Sequence, residues 1–468
     1  MEKIIILRDR PNLFSPTYWN SIVQTSAAPV KLYGGTLNME YNFYSKNRMV
    51  LAIPKKDWQE LSKKISFKII NDKNLFNEIK KRTNISTKRI LIFIRKSKKI
   101  NYSTLSFDEL IRMANDIYQL FFEYDTACLF SWFVAGDELE TKIKKILRIN
   151  MNDLKIITRP LKKTYSSQMT EEVLGESLKV KSDAVKLSKK YYWIPFGYDG
   201  PKIWDAKYFA KIILINKRNI NKTKIQYRVV LKNEDIFRRA VNKIYKKHTF
   251  DQRKRRLIDI LRTNAQWTDE RKMLHFQLFY YYDLLLRELS KRYKIPLKNL
   301  KYLLTSELSQ LRKSRVQMLR ISQDRMSNDF LAIIRGGKIV ITSKKERTKI
   351  WGLLNERNQV KKVMGQVACG GPELKYFAYA KILRSTKECH KIKNGDLLIT
   401  TMTTPDFVPA MNRALGFITD EGGITCHAAI VAREMNKPCI IGTKIATRVF
   451  KDGDRLQVDV VNGIIKKI

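Results

Sequence analysis

Apolar positions recur every three to four residues through much of the first 360 residues, then give way to short apolar runs bounded by glycine and proline. Phe107–Phe122 has the i, i+3, i+4 spacing of an amphipathic helix, with Ser106 placed to cap it. The same periodicity predicts long helices over Ile236–Leu261, Glu270–Tyr293 and Leu297–Arg325, whereas Arg89–Arg95 and Lys338–Thr342 read as strands. Tyr192–Pro201, rich in aromatics, glycine and proline, is expected to be a loop packed on helices rather than an aromatic substrate platform. Nine of the 19 glycines precede residue 361 and ten follow it, so a mainly helical body with some strands should lead into a turn-rich α/β module, with the junction near Asn355–Met364.

Inside that module each element has its own punctuation. A strand is predicted from Gly395 to Thr400, then a helix over Asp406–Arg413 that follows Pro405 and is delayed by Pro409. Leu415–Ile418 reads as a buried strand, Thr419–Gly423 as a turn, and Thr425 as the N-cap of a helix over Cys426–Met435. Pro438 ends that helix, Cys439–Ile441 makes another strand, and Leu456–Val461 pairs with Ile464–Lys467 around Asn462-Gly463.

The placement of His427 gives the module its chemistry. In the first turn of a helix, backbone N–H groups lack intrahelical partners and the dipole is positive, so a phosphate on the imidazole is stabilised while an imidazolium is disfavoured. The neutral imidazole is the nucleophilic form. Gly422 and Gly423 leave room for close backbone approach, and Thr425 caps the helix.

The 468 residues suffice for two to four domains, and 44% hydrophobic content is ample for buried cores. No apolar run approaches the roughly 18 to 20 residues needed to cross a bilayer, the best being Ala127–Ala135, and Met1–Arg8 lacks the longer apolar core of an export signal; a cytoplasmic location is expected. Five unpaired-looking cysteines read as reduced thiols, with no structural zinc and no metal site indicated. The formal charge of +46 is uneven: residues 361–468 hold 17 basic and 10 acidic residues, a net of +7, leaving +39 on the rest. Basic runs such as Lys243–Lys247 and Arg253–Arg256 are interleaved with apolar residues at helical spacing and are read as solvated helix faces rather than a nucleic-acid surface.

The stretch Gly422–Arg433, Gly-Gly-Ile-Thr-Cys-His-Ala-Ala-Ile-Val-Ala-Arg, closely resembles the phosphohistidine motif of the PEP-utilising enzymes, which include phosphoenolpyruvate synthase, pyruvate phosphate dikinase and rifampicin phosphotransferase. Flanking segments Ile392–Leu398, Thr403–Asp406, Lys437–Gly442 and Asp452–Asp454 resemble the same family, and the likeness extends over about residues 361–468. It implies a swivelling β/β/α domain in which His427 accepts and donates a phosphoryl group. Thr404, in the Thr-Thr-Pro turn, would face the histidine loop. Cys426 stands where the family interchanges Cys and Ser, which favours packing over a reactive thiol. Arg433, two helical turns beyond Cys426, is expected to stabilise the domain or to pair with Glu434 or Asp420 rather than to touch phosphate.

A weaker resemblance, in Trp267–Lys272, Leu285–Arg292 and Leu300–Leu308, is to the helical linker that precedes the mobile domain in phosphoenolpyruvate synthase-like proteins. Residues 1–230 are read as an unassigned mixed α/β region, 231–360 as the helical linker region and 361–468 as the mobile phosphohistidine domain. Sparse glycines before residue 360 argue against an ATP-grasp module, and the chain stops at Ile468 without a PEP and pyruvate barrel. The leading expectation is therefore phosphoryl transfer through His427. No motif binds a cofactor, and the family implies ATP or PEP with Mg²⁺, brought by a separate ATP-grasp or PEP/pyruvate module. Alternatives are a non-catalytic regulatory or interaction protein built on this domain, and a small-molecule phosphotransferase with an unrecognised nucleotide site in the first 230 residues.

Overall fold

A computed structural model describes residues 4–11, 39–45, 48–128, 137–196, 203–327, 330–335, 338–342, 345–346, 348–349, 362–372, 374–384, 386–403, 407–421 and 427–468. It is mostly helical, with a strand-rich C-terminal region, and divides into two compact units. The first is dominated by Ile53–Thr342 and the second by Ser343–Ile468. The expected junction at Asn355–Met364 falls almost entirely outside the described residues.

The first unit is built on a 42-residue helix, Gln252–Tyr293, against which the helices Lys73–Ser97, Phe107–Cys128 and Met151–Thr158 pack. Phe107–Cys128 bears out the amphipathic reading. Its capping box is formed, the Ser106 hydroxyl accepting from Glu109 N at 3.2 Å while the Glu109 carboxylate accepts from Ser106 N at 2.7 Å. Ser106→Ala should therefore cost about 1 kcal/mol in urea unfolding of the full chain; an unchanged midpoint would show the cap to be dispensable. Tyr192 and Phe196 pack on Tyr280 with ring centroids at 5.3 and 5.9 Å, and Trp193 is buried against Tyr165, so the described part of the aromatic segment is core.

Four expectations for this unit are corrected. Arg89–Arg95 is helical, part of Lys73–Ser97, because the small residues Thr83 and Ser86 continue the buried stripe of Ile79, Ile90 and Ile94. Ile236–Leu261 is interrupted: one helix spans Ile220–Lys247, so residues 230 and 231 lie inside it, and the next begins after Asp251, whose carboxylate accepts from Lys254 N at 2.7 Å. The helix read over Glu270–Tyr293 starts earlier, at Gln252, and so contains Asp269. That residue accepts from Tyr165 N at 2.9 Å, filling an open donor in the first turn of the neighbouring helix Tyr165–Ser177. Finally, Leu297–Arg325 breaks into the short helices Leu297–Leu300 and Thr305–Leu308, a 3₁₀ turn at Ser309–Arg312 and the helix Arg315–Ser327. Glu307 holds this fold-back, accepting from Leu304 N at 2.7 Å and from both terminal nitrogens of the buried Arg325 at 2.7 Å.

Among the described residues, five strands precede the C-terminal module: β1 (Ile4–Pro11), β2 (Met39–Ser45), β3 (Arg48–Pro54), β4 (Phe330–Arg335) and β5 (Lys338–Ile341). In the first unit β2, β4 and β5 pair antiparallel, as the strand reading of Lys338–Thr342 requires.

The second unit contains β6 (Lys362–Met364), β7 (Gln366–Cys369), β8 (Lys375–Leu383), β9 (Leu397–Thr400), β10 (Gly416–Thr419), β11 (Cys439–Ile441), β12 (Arg455–Asp459) and β13 (Ile464–Lys467), in the order β6-β13-β12-β8-β9-β10-β11-β7. Strands β8 to β11 run parallel and the outer pairs antiparallel. Period-2 alternation divides two cores between the faces of the sheet: Leu397, Ile399, Ile418 and Ile440 enter one, Leu398, Phe417, Cys439 and Ile441 the other. The β12–β13 connection is closed by Asp459, whose carboxylate accepts from Val461 N and Asn462 N at 3.0 Å. Gly463 has φ +65°, and a Cβ there would meet Gly365 O at 2.2 Å, so only glycine fits.

Candidate functional site

Strand β10 runs into the histidine loop from the middle of the parallel set, and the helix His427–Glu434 returns along the sheet, with Ala428, Ala429, Val431 and Ala432 buried beside Phe417 and Cys439. Small side chains let the helix sit close to the strands. The described part of the helix opens at His427, and the expected start at Cys426 lies outside the described residues. The site is thus at the carboxyl end of parallel strands, where open α/β sheets place their ligands.

The helix ends in a six-to-one and left-handed closure: Lys437 N donates to Ala432 O at 2.9 Å, with Asn436 at φ +49°. Lys437 then brackets the end of the Val408–Arg413 helix, its Nζ donating to Met411 O, Asn412 O and Ala414 O at 3.1, 2.7 and 2.6 Å. Burial holds this ammonium below the usual lysine range. The Val408–Arg413 helix starts later than Asp406, with Pro409 in its first turn, the delay that its sequence foretold.

At the end of β10 lies a buried polar frame. Asp420, 6% exposed, accepts from Thr443 Oγ1 at 2.8 Å, from Thr447 N at 3.3 Å to each oxygen, and from the Thr447 hydroxyl. Its backbone N–H donates to Thr400 O at 3.1 Å and its carbonyl accepts from Lys444 N at 2.9 Å. Thr443 also donates, through N and Oγ1, to Thr419 O at 3.0 and 3.1 Å. Strand ends β9 and β10 and the segment after β11 are therefore tied at one point, the last described turn before the glycines. The sequence offers Asp420 only as a partner for Arg433. Thr443 and Thr447 carried no sequence signal beyond a polar residue at a strand end, since their partner is 23 and 27 positions away.

Burial pushes the Asp420 carboxyl above the ordinary 3.8, opposed by the Thr447 and Thr443 hydrogen bonds and by Arg448. A folded-state value above the unfolded one means that the folded state binds the proton more readily. This contribution is therefore fully present below about 3.8 and is lost as pH rises through the folded value. Compared by denaturation over about pH 3 to 7, wild type should lose stability relative to Asp420→Asn as pH rises; a flat difference or the opposite slope would contradict the burial argument.

Of the residues expected at the site, Thr404, Gly422, Gly423, Thr425 and Cys426 lie outside the described residues, and for His427 and Arg433 the description stops at the helical backbone. Among the described residues no group of three or more His, Cys, Asp or Glu stands together as metal ligands. No helix there is long and apolar enough to cross a membrane.

Comparison with known proteins matches the family described as PEP-utilising enzyme, mobile domain, to residues 392–463. Similar proteins include the probable phosphoenolpyruvate synthase of Archaeoglobus fulgidus, 44% identical over 140 residues, which cover 28% of this chain and 18% of that protein. The probable phosphoenolpyruvate synthase of Methanothermobacter thermautotrophicus is 55% identical over 85 residues, 18% of this chain and 12% of the relative. The phosphoenolpyruvate synthase of Escherichia coli is 31% identical over 165 residues, 34% of this chain and 21% of the relative. The chain thus matches about a fifth or less of the length of these relatives. Together with the strand, loop and helix order around His427, the comparisons identify residues 392–463 as a mobile domain of the PEP-utilising enzyme family.

Proposed function

We propose that His427 carries a phosphoryl group between a donor and an acceptor, and that the C-terminal unit is the swivelling β/β/α carrier that moves it. The observation that carries this reading is the place of His427 in the first described turn of the helix that follows β10 in the chain, inside the segment matched to the mobile domain. An imidazole nitrogen attacks the donor phosphorus, a P–O bond to the leaving group breaks and an N–P bond forms; an acceptor oxygen then reverses the exchange. The open N–H groups and dipole of the first helical turn favour the phosphorylated form, so the protein's part is positioning and charge stabilisation.

In this reading Gly422 and Gly423 admit the donor phosphate, Thr425 caps the helix and contacts loop or phosphate, Thr404 faces the loop, and Cys426 and Arg433 support it. The donor is ATP or PEP, bringing its own Mg²⁺, on a separate ATP-grasp or PEP/pyruvate module in the cytoplasm. Residues 231–360 include the linker segment, most of which belongs to the compact unit that Ile53–Thr342 dominates. The names of the relatives support this assignment at the level of the family, and the complete activity of a phosphoenolpyruvate synthase is not assigned to this chain.

Phosphosite mapping of the chain isolated from its native host under non-acidic conditions tests the proposal. Phosphate should be found on His427, and repeated full coverage of Gly422–Arg433 without it would contradict the reading.

A further inference from the structure

The helix Ile220–Lys247 packs one face, through Thr223, Phe237, Val241 and Ile244, and leaves a different stripe in solvent. Ile225, Val229 and Ile236 are 61%, 49% and 52% exposed, and they fall at i, i+4 and i+11 along one line of the helix. Exposed Lys222, Lys232, Arg239 and Lys243 complete the same line, which follows a three-four repeat over 22 residues, from 222 to 243. At about 100° per residue the stripe lies roughly 125° round from the packed face, so the contacts that hold the helix in its unit do not cover it.

The charge around the stripe is one-sided. Nine Lys and Arg of this helix are exposed against one exposed acid, Asp235. The other acid, Glu234, is already engaged by Arg238 at 3.5 Å and Arg159 at 3.9 Å. Whatever covers the stripe must therefore be anionic and also accept aliphatic side chains. A nucleic-acid backbone satisfies the first requirement alone. An anionic bilayer surface satisfies both, because short aliphatic side chains enter the boundary between headgroups and acyl chains while lysine and arginine keep their charges among the phosphates.

We propose that the Ile220–Lys247 helix docks the protein on an anionic lipid surface, with Ile225, Val229 and Ile236 inserted and Lys222, Lys232, Arg239 and Lys243 paired with headgroup phosphates. This interaction is independent of His427 and holds whether or not the histidine is phosphorylated.

Co-sedimentation of the full chain with phosphatidylcholine vesicles, and with vesicles containing one third phosphatidylglycerol, tests the proposal. The chain should pellet with the anionic vesicles only, and less at high salt. Combined Ile225→Ser, Val229→Ser and Ile236→Ser should weaken binding about tenfold. Changing Lys222, Lys232, Arg239 and Lys243 together to Gln should weaken it at least as much, and as all seven positions are exposed both variants should melt like wild type. Absence of binding to anionic vesicles, equal binding to neutral ones, or full binding by the serine variant would overturn the proposal. So would oligonucleotide binding that anionic vesicles fail to displace.

Discussion

Replacing Asp420 with alanine is expected to lower the stability of the C-terminal unit by about 2–3 kcal/mol, with only part of that loss in Asp420→Asn. The alanine leaves the buried Thr447 hydroxyl and backbone N–H without their acceptor. Thr443 is less affected, because its hydroxyl already reaches Thr419 O at 3.1 Å. Two opposing terms set the magnitude. Loss of charge-assisted hydrogen bonds in a dry site costs more than loss of a surface contact, but removal of a carboxyl whose ionised form burial disfavours returns part of that cost. The net therefore falls below the roughly 3–5 kcal/mol of a broken buried ion pair. Urea unfolding followed by a probe in the C-terminal unit measures it; a loss under about 0.5 kcal/mol would mean that the frame does not hold the strand ends together.

Where each element carried its own punctuation, the sequence was sufficient. In the C-terminal unit Pro409, Pro438 and Gly463 mark the bounds, and the apolar runs Leu397–Thr400, Gly416–Thr419 and Cys439–Ile441 make buried strands; all appeared within a residue or two of expectation. In the helical body, periodicity continued in phase across real breaks. The apolar rhythm on either side of Asp251 concealed an N-cap, and the run ending at Arg325 concealed a fold-back held by Glu307. Arg89–Arg95 failed differently, since its isoleucines favour strands by propensity and only their packing, in line with Thr83 and Ser86, makes them helical.

For the site, the same contrast holds between local and distant information. The helix that carries His427 and the strand before it were legible because their determinants lie within the 19 consecutive residues from Gly416 to Glu434. The Asp420–Thr443–Thr447 frame and the Lys437 bracket were not, because each joins side chains and carbonyls more than 20 positions apart. Such pairings follow from the order of strands in the sheet, which short-range patterns leave undetermined.

The second large effect expected is complete loss of protein-bound phosphate in His427→Ala, since no other residue of the proposal forms an N–P bond. Folding should be little changed, the helix being held on the sheet by Ala428, Ala429, Val431 and Ala432. The decisive measurement is acid-labile label on the purified full chain after incubation with radiolabelled ATP and Mg²⁺ or with radiolabelled PEP, each with and without native-host lysate, beside His427→Ala. The account predicts label on wild type in at least one of these conditions, lost on acidification and absent from the alanine variant. Label on both proteins, or on neither in any condition, would contradict it.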